Sequence, residues 1–77
     1  MKLTEIYAAN LRPGHLLVAT YAPSGRVSTL AHGLRIGTVE HVKNEKGYTV
    51  ETRATTESGL DLTPFASGDK VFVMEGV

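Results

Sequence analysis

Cysteine and tryptophan are both absent from this 77-residue chain. Without cysteine there is no disulfide and no thiolate-held zinc, so a small core must manage without the staples that usually support chains of this size. A cysteine-free chain also suits a reducing compartment. Aromatics are scarce, three tyrosines and two phenylalanines. That is too few to line a groove for proline-rich peptides and fill a core as well. An excess of either charge is missing too, since eight basic residues balance eight acidic ones. Dedicated nucleic-acid binders carry a basic excess, because counterion release drives much of their affinity. No apolar run approaches the roughly 20 residues that cross a bilayer. The opening MKLTEIYAAN, with Glu5 and no sustained apolar stretch, does not read as a secretory signal. These absences lead us to expect one soluble, cytoplasmic domain over residues 1–77, with no membrane partner.

What is present is strand pattern and turn chemistry. The stretch from Arg35 to Ala54, RIGTVEHVKNEKGYTVETRA, reads as two strands joined at Asn44-Glu45-Lys46-Gly47, with Gly47 free to take the positive φ such a turn needs. Tyr48, Val50, Thr52 and Ala54 alternate with Thr49, Glu51, Arg53 and Thr55, the period-2 mark of a half-buried strand. On that parity Tyr48 faces inward. Ile36, Val39 and Val42 are spaced by three, which calls for a bulge near Gly37 or His41. Around this hairpin the spacing predicts strands over Lys2–Ala9, His15–Tyr21, Leu60–Thr63 and Lys70–Glu75. Arg26–Leu30 is a short strand or the arm of a long loop. Turns fall at 11–14, 22–25, 31–33 and 57–59, and a 3₁₀-like turn at Pro64–Ser67. No span keeps helical period long enough for a helix. The expected fold is all-β, a small barrel of five to seven short antiparallel strands with at most one short 3₁₀ turn.

One local pattern occurs twice. Leu11-Arg12-Pro13-Gly14-His15 and Phe65-Ala66-Ser67-Gly68-Asp69 each offer an apolar anchor, two residues, a glycine and a polar residue before a strand. On this reading Leu17, Ala19, Val71 and Val73 point inward. Leu16, Val18, Phe72 and Met74 then point outward, where something must cover them. Either the first strand folds back over the last, or another molecule does the covering.

The residues that end the chain, Phe65-x-x-Gly68-Asp69-x-Val71-x-Val73, resemble the close of an SH3-like small barrel. Gly37-x-Val39-x-x-Val42, followed by Gly47 and Val50, is similar to the KOW motif of ribosomal and transcription-associated barrels. The opening Ile6-Tyr7-Ala8-Ala9-Asn10-Leu11-Arg12-Pro13-Gly14 resembles small barrel proteins of actinobacterial phages, which usually have an aspartate where His15 stands and an acid where Asn10 stands. The resemblance implies an SH3-like fold and a host-cytoplasmic setting. It carries over no functional residues, because fold does not imply function.

Chemistry-bearing residues are sparse. His15, His32 and His41 lack the spacing of a metal site. Ser24, Ser28, Ser58 and Ser67 sit in or near glycine turns rather than in a nucleophile elbow. Neither an enzyme, nor a cofactor or metal, nor a small-molecule substrate is expected. Residues 1–50 carry six basic against three acidic side chains, a net +3, and residues 51–77 two against five, a net −3. The expected function is a non-enzymatic protein-interaction or self-associating module using Leu16, Val18, Phe72 and Met74. The alternative is a nucleic-acid-binding, KOW-like module using Arg35, Lys43, Lys46 and Arg53.

Overall fold

The computed structural model describes residues 1–76; the expected domain end at Val77 lies outside them. Six antiparallel strands form one sheet: β1 (Lys2–Tyr7), β2 (Leu16–Tyr21), β3 (Val27–Lys43), β4 (Thr49–Thr56), β5 (Phe65–Ala66) and β6 (Lys70–Glu75). Their order is β1-β6-β2-β3-β4-β5. The all-β reading therefore holds. Together with a single 3₁₀ turn at Ala8–Asn10 packed on β4 and β5, the sheet makes a small barrel.

One strand belongs to both halves of this sheet. β3 is 17 residues long and pairs with β2 over Val27–Arg35, then with β4 over Ile36–Lys43. The register slips between Ile36 and Thr38, placing a bulge at Gly37 as the threefold apolar spacing requires. A Cβ on Gly37 would lie 3.0 Å from the Thr56 carbonyl oxygen and 3.1 Å from the Glu57 backbone. Two backbone segments approach closely there, and a side chain at this position would push backbone aside by a few tenths of an ångström. The turn expected at Ala31-His32-Gly33 takes another form. β3 runs through it, but its partners on β2 jump from Leu17↔Leu34 to Ala19↔Thr29. Four residues, Leu30 to Gly33, thus span what Val18 alone spans on β2, with Gly33 at φ 66°.

Two further elements differ from the sequence reading. The 3₁₀ turn falls at Ala8–Asn10, not at Pro64–Ser67. Ala8 is fully buried, its N–H donates to the Asp69 carbonyl at 2.8 Å, and Leu11 N–H closes the turn on the Ala8 carbonyl at 3.0 Å. Phe65 and Ala66 instead form β5, paired with Thr52 and Glu51. Leu60–Thr63 is not a strand but a loop tied to β4 by the Thr55↔Asp61 bridge and by Leu62 N–H on the Ala54 carbonyl at 3.0 Å.

The repeated pentapeptides fold as the same clamp. Arg12 N–H donates to His15 Nδ1 at 3.0 Å while His15 N–H donates back to the Arg12 carbonyl at 3.1 Å. Ala66 N–H donates to Asp69 Oδ2 at 2.8 Å and Asp69 N–H returns to the Ala66 carbonyl at 3.1 Å. Gly14 and Gly68 both have positive φ, 95° and 88°. His15 thus supplies by imidazole nitrogen what Asp69 supplies by carboxylate. Each clamp follows an anchor of the interior: Leu11 is buried, and Phe65 packs partly buried against the core.

That core is Ala8, Leu11, Leu17, Ile36, Ala54, Val71 and Val73. Its small size makes each large member weighty. Truncating a buried isoleucine such as Ile36 costs about 2–5 kcal/mol, comparable with the whole stability of a domain this small. Among the described residues every buried side-chain polar atom has a partner. Thr56 Oγ1, for example, accepts the Leu60 N–H at 3.0 Å.

Two stability outcomes follow from this geometry. Gly37→Ala should lower unfolding free energy by about 1–3 kcal/mol, since backbone rather than a flexible side chain must move; urea denaturation measures it. His15→Ala should cost about 1 kcal/mol through loss of the Arg12 N–H to imidazole hydrogen bond, a melting shift of about 4–8 °C. His15→Asp, which restores an acceptor, should melt close to wild type.

Candidate functional site

Alternation decides what faces out. Val71 and Val73 are wholly buried, so their neighbours Phe72, Met74 and Lys70 lie on the opposite face of β6. Directly opposed residues of antiparallel strands share a face. Leu3↔Met74, Glu5↔Phe72 and Tyr7↔Lys70 therefore bring Leu3, Glu5 and Tyr7 of β1 to that side. Leu16 joins through Met74, and Val27 stands opposite Tyr21. The Tyr21 ring leans on Phe72 with centroids 5.4 Å apart, and its hydroxyl donates to Glu5. Lys70 Nζ sits 5.2 Å from the centroid of the Tyr7 ring. The result is an outer face on β1-β6-β2-β3 about 20 Å on a side.

This face is unusually apolar for an open sheet surface. Leu3 is 57% exposed, Val27 51%, Tyr7 50% and Tyr21 42%, four of the eight large apolar or aromatic side chains that stand most open to solvent. Leu16, Phe72 and Met74 are half-buried among them. Leu16 lies close against Gly33, where an added Cβ would come 3.0 Å from its Cδ1. β1 does pair with β6, but it lies beside that strand rather than over it, so among the described residues no second layer covers the face.

Of the four residues read from the sequence as a surface, Leu16, Phe72 and Met74 share this face. Val18 does not enter the ladder: it is the extra residue where β2 slips against β6 between Leu17 and Ala19. That slip also corrects the parity beyond it. Ala19 pairs with Phe72 and Thr20 with Val71, so Thr20 rather than Ala19 continues the inward side. Ala19 is buried all the same, outside the main cluster. Leu3, Tyr7, Tyr21 and Val27 were missed as surface residues. The apolar groups on both sides of the first strand were the signal for the first two.

The basic set is not assembled. Arg35 Nη1 donates to the Gly14 carbonyl at 2.9 Å. Arg53 pairs with Glu51 along its own strand at 2.8 Å and faces Glu40 across the ladder. The Glu51 hydrogen bond, then its charge, holds the guanidinium pKa above its ordinary value. Lys43 and Lys46 lie at the hairpin tip, about 25 Å along the strand from Arg35. Tyr48, expected to face inward, is 69% exposed. It belongs to the turn, where its N–H donates to Asn44 Oδ1 at 3.1 Å.

The histidines lie apart in role. His15 clamps its turn, His41 Nδ1 is 3.4 Å from Thr52 Oγ1, and His32 is exposed on β3. Among the described residues no three His, Asp or Glu side chains gather as around a metal ion, and no helix is long and apolar enough to cross a membrane. An open cleft of about 790 Å³ lies beside the apolar face, lined by Glu5, Tyr21, Pro23, Pro64, Phe65 and Asp69 among others. Of its carboxylates, Glu5 accepts from the Tyr21 hydroxyl through one oxygen and Asp69 accepts the Ala66 N–H through Oδ2.

No family model matches this chain, and no curated protein or solved structure matches it either.

The Glu5 contact raises the Tyr21 pKa above its ordinary 10.0, chiefly through the hydrogen bond, then through desolvation and the Glu5 charge. A raised phenol pKa means the neutral ring is favoured in the fold. Its contribution is present below pH 10 and is lost as pH climbs through the folded value. In a Tyr7→Phe/Tyr48→Phe background, ultraviolet titration should find the remaining phenol ionising later than a free tyrosine. Adding Glu5→Gln should bring it back toward the ordinary value.

Proposed function

We propose that this chain is a non-enzymatic association module of the small-barrel kind, which docks on a protein surface through the outer face of β1-β6-β2-β3. The observation that carries this is the clustering of Leu3, Tyr7, Tyr21 and Val27, all well exposed, around half-buried Leu16, Phe72 and Met74 on one side of one sheet. Monomeric proteins rarely leave apolar surface so contiguous, and patches of this sort mark sites of protein contact. Aromatic and methionine side chains with few charges are the composition of an interface centre. The likeness to small phage barrels, and a reducing host cytoplasm, suit such a module.

The nucleic-acid reading draws less support. Two of its four cations, Arg35 and Arg53, are held by groups of the chain itself, and the other two sit at the far tip of a hairpin they share with Glu45.

Photo-crosslinking separates these readings. A benzophenone side chain placed at Leu3 or Val27 should give protein adducts in solution or cell extract, and one at Lys46 should not. Capture from Lys46 alone, or a nucleic-acid gel shift at low salt that Lys43→Ala/Lys46→Ala abolishes, would overturn the assignment.

A further inference from the structure

We infer that the occupant of this face is a second copy of the chain, the two β1-β6-β2-β3 sheets packing face to face about a two-fold axis. The inference rests on the association reading and names its partner. Three observations point to self-pairing.

The first is surface area. The folded chain exposes 5249 Å², whereas a monomer of 8.3 kDa is expected to expose about 4,600 Å². The difference, about 700 Å², is close to the roughly 800 Å² that each partner contributes to a standard interface. The chain thus exposes extra surface on the scale that one standard interface removes.

Geometry supplies the second. The face is an open sheet surface with large side chains standing on it, and two such faces can interdigitate at about 10 Å as in a sandwich. An isologous contact requires a patch complementary to itself, and an apolar patch meets that condition without further design.

Charge completes the case. Glu5 and Lys70 stand on neighbouring rows of the face, Glu5 opposite Phe72 and Lys70 opposite Tyr7, while Arg35, opposite Leu16, is held by the Gly14 carbonyl. A two-fold axis midway between Glu5 and Lys70 sets Glu5 of each copy against Lys70 of the other. Tyr21 engages Glu5 Oε2 only, so the second carboxylate oxygen is available. Lys70 rests over an exposed ring, from which it can reach outward.

The test uses the whole chain in sedimentation velocity over a concentration series. Wild type should move from 8.3 kDa toward twice that mass as concentration rises. Leu3→Glu changes an exposed position, so it should keep the wild-type circular dichroism and melting point while weakening the dimer about tenfold or more. Glu5→Lys and Lys70→Glu should each weaken it alone, since like charges then face each other. Mixed in equal amounts, the two variants should associate again, because every facing pair is then opposite in sign. A side chain with only an internal structural role would not produce that rescue. Wild type that stays monomeric at every concentration overturns the inference, while adducts from Leu3 and Val27 to another protein would leave the association reading standing. A dimer indifferent to Leu3→Glu and to both charge variants overturns it as well, because the contact then lies elsewhere.

Discussion

The close approach at Gly37 is the constraint on which the rest of the barrel depends. Backbone of Thr56 and Glu57 occupies the space a side chain would take. The same approach is held by Glu57 N–H on the Arg35 carbonyl at 2.9 Å and by Ile36 N–H on the His15 carbonyl at 2.8 Å. Because β3 can bend there, one strand closes both ladders, and Ile36 is carried into the middle of the core with no exposed surface. A side chain in that space would press on the Thr56 and Glu57 backbone, directly beside the residue that joins the two ladders.

The clamps at residues 11–15 and 65–69 do complementary work at the ends of the barrel. Each satisfies a turn N–H by a side chain four residues after its anchor, and each releases the chain directly into a strand of the buried sheet. That one uses imidazole and the other carboxylate shows that acceptor position, not residue type, is what the turn requires. The Asp69 carbonyl also takes the Ala8 N–H, so the second clamp secures the 3₁₀ turn that covers β4 and β5.

The outer face follows from the same alternation that fills the core. In a strand every buried valine commits its neighbour to the other side, and β6 commits Phe72 and Met74. The six strands form one sheet, and among the described residues no other element lies over them. The hairpin of β3 and β4 solves the same problem differently. Its outward residues include Glu40, Glu51 and Arg53, one guanidinium between two carboxylates, and these charged groups need no cover. The apolar face and the polar ribbon are thus two outcomes of one period-2 rule, separated by which residues the alternation sends outward.

Local chemistry was legible in the sequence wherever a short range decided it. The turn at Asn44–Gly47, the last strand at Lys70–Glu75, the bulge at Gly37, the twin clamps and the inward set of Leu17, Val71 and Val73 all depend on neighbours within a few positions. What the sequence could not determine was set by pairing at long range. Whether residues 8–10 or 64–67 would form the 3₁₀ turn turned on Ala8 meeting Asp69 and Phe65 meeting Thr52. Which side Ala19 and Thr20 face was settled by a slip at Val18 that is visible only against β6. Tyr48, inward by simple alternation, stands in water because the register slips at Val50, between the Val42↔Glu51 and Lys43↔Thr49 pairs, and Tyr48 then belongs to the turn. Alternation is a property of one strand, whereas burial needs a second surface, and only the folded sheet says where that surface stops.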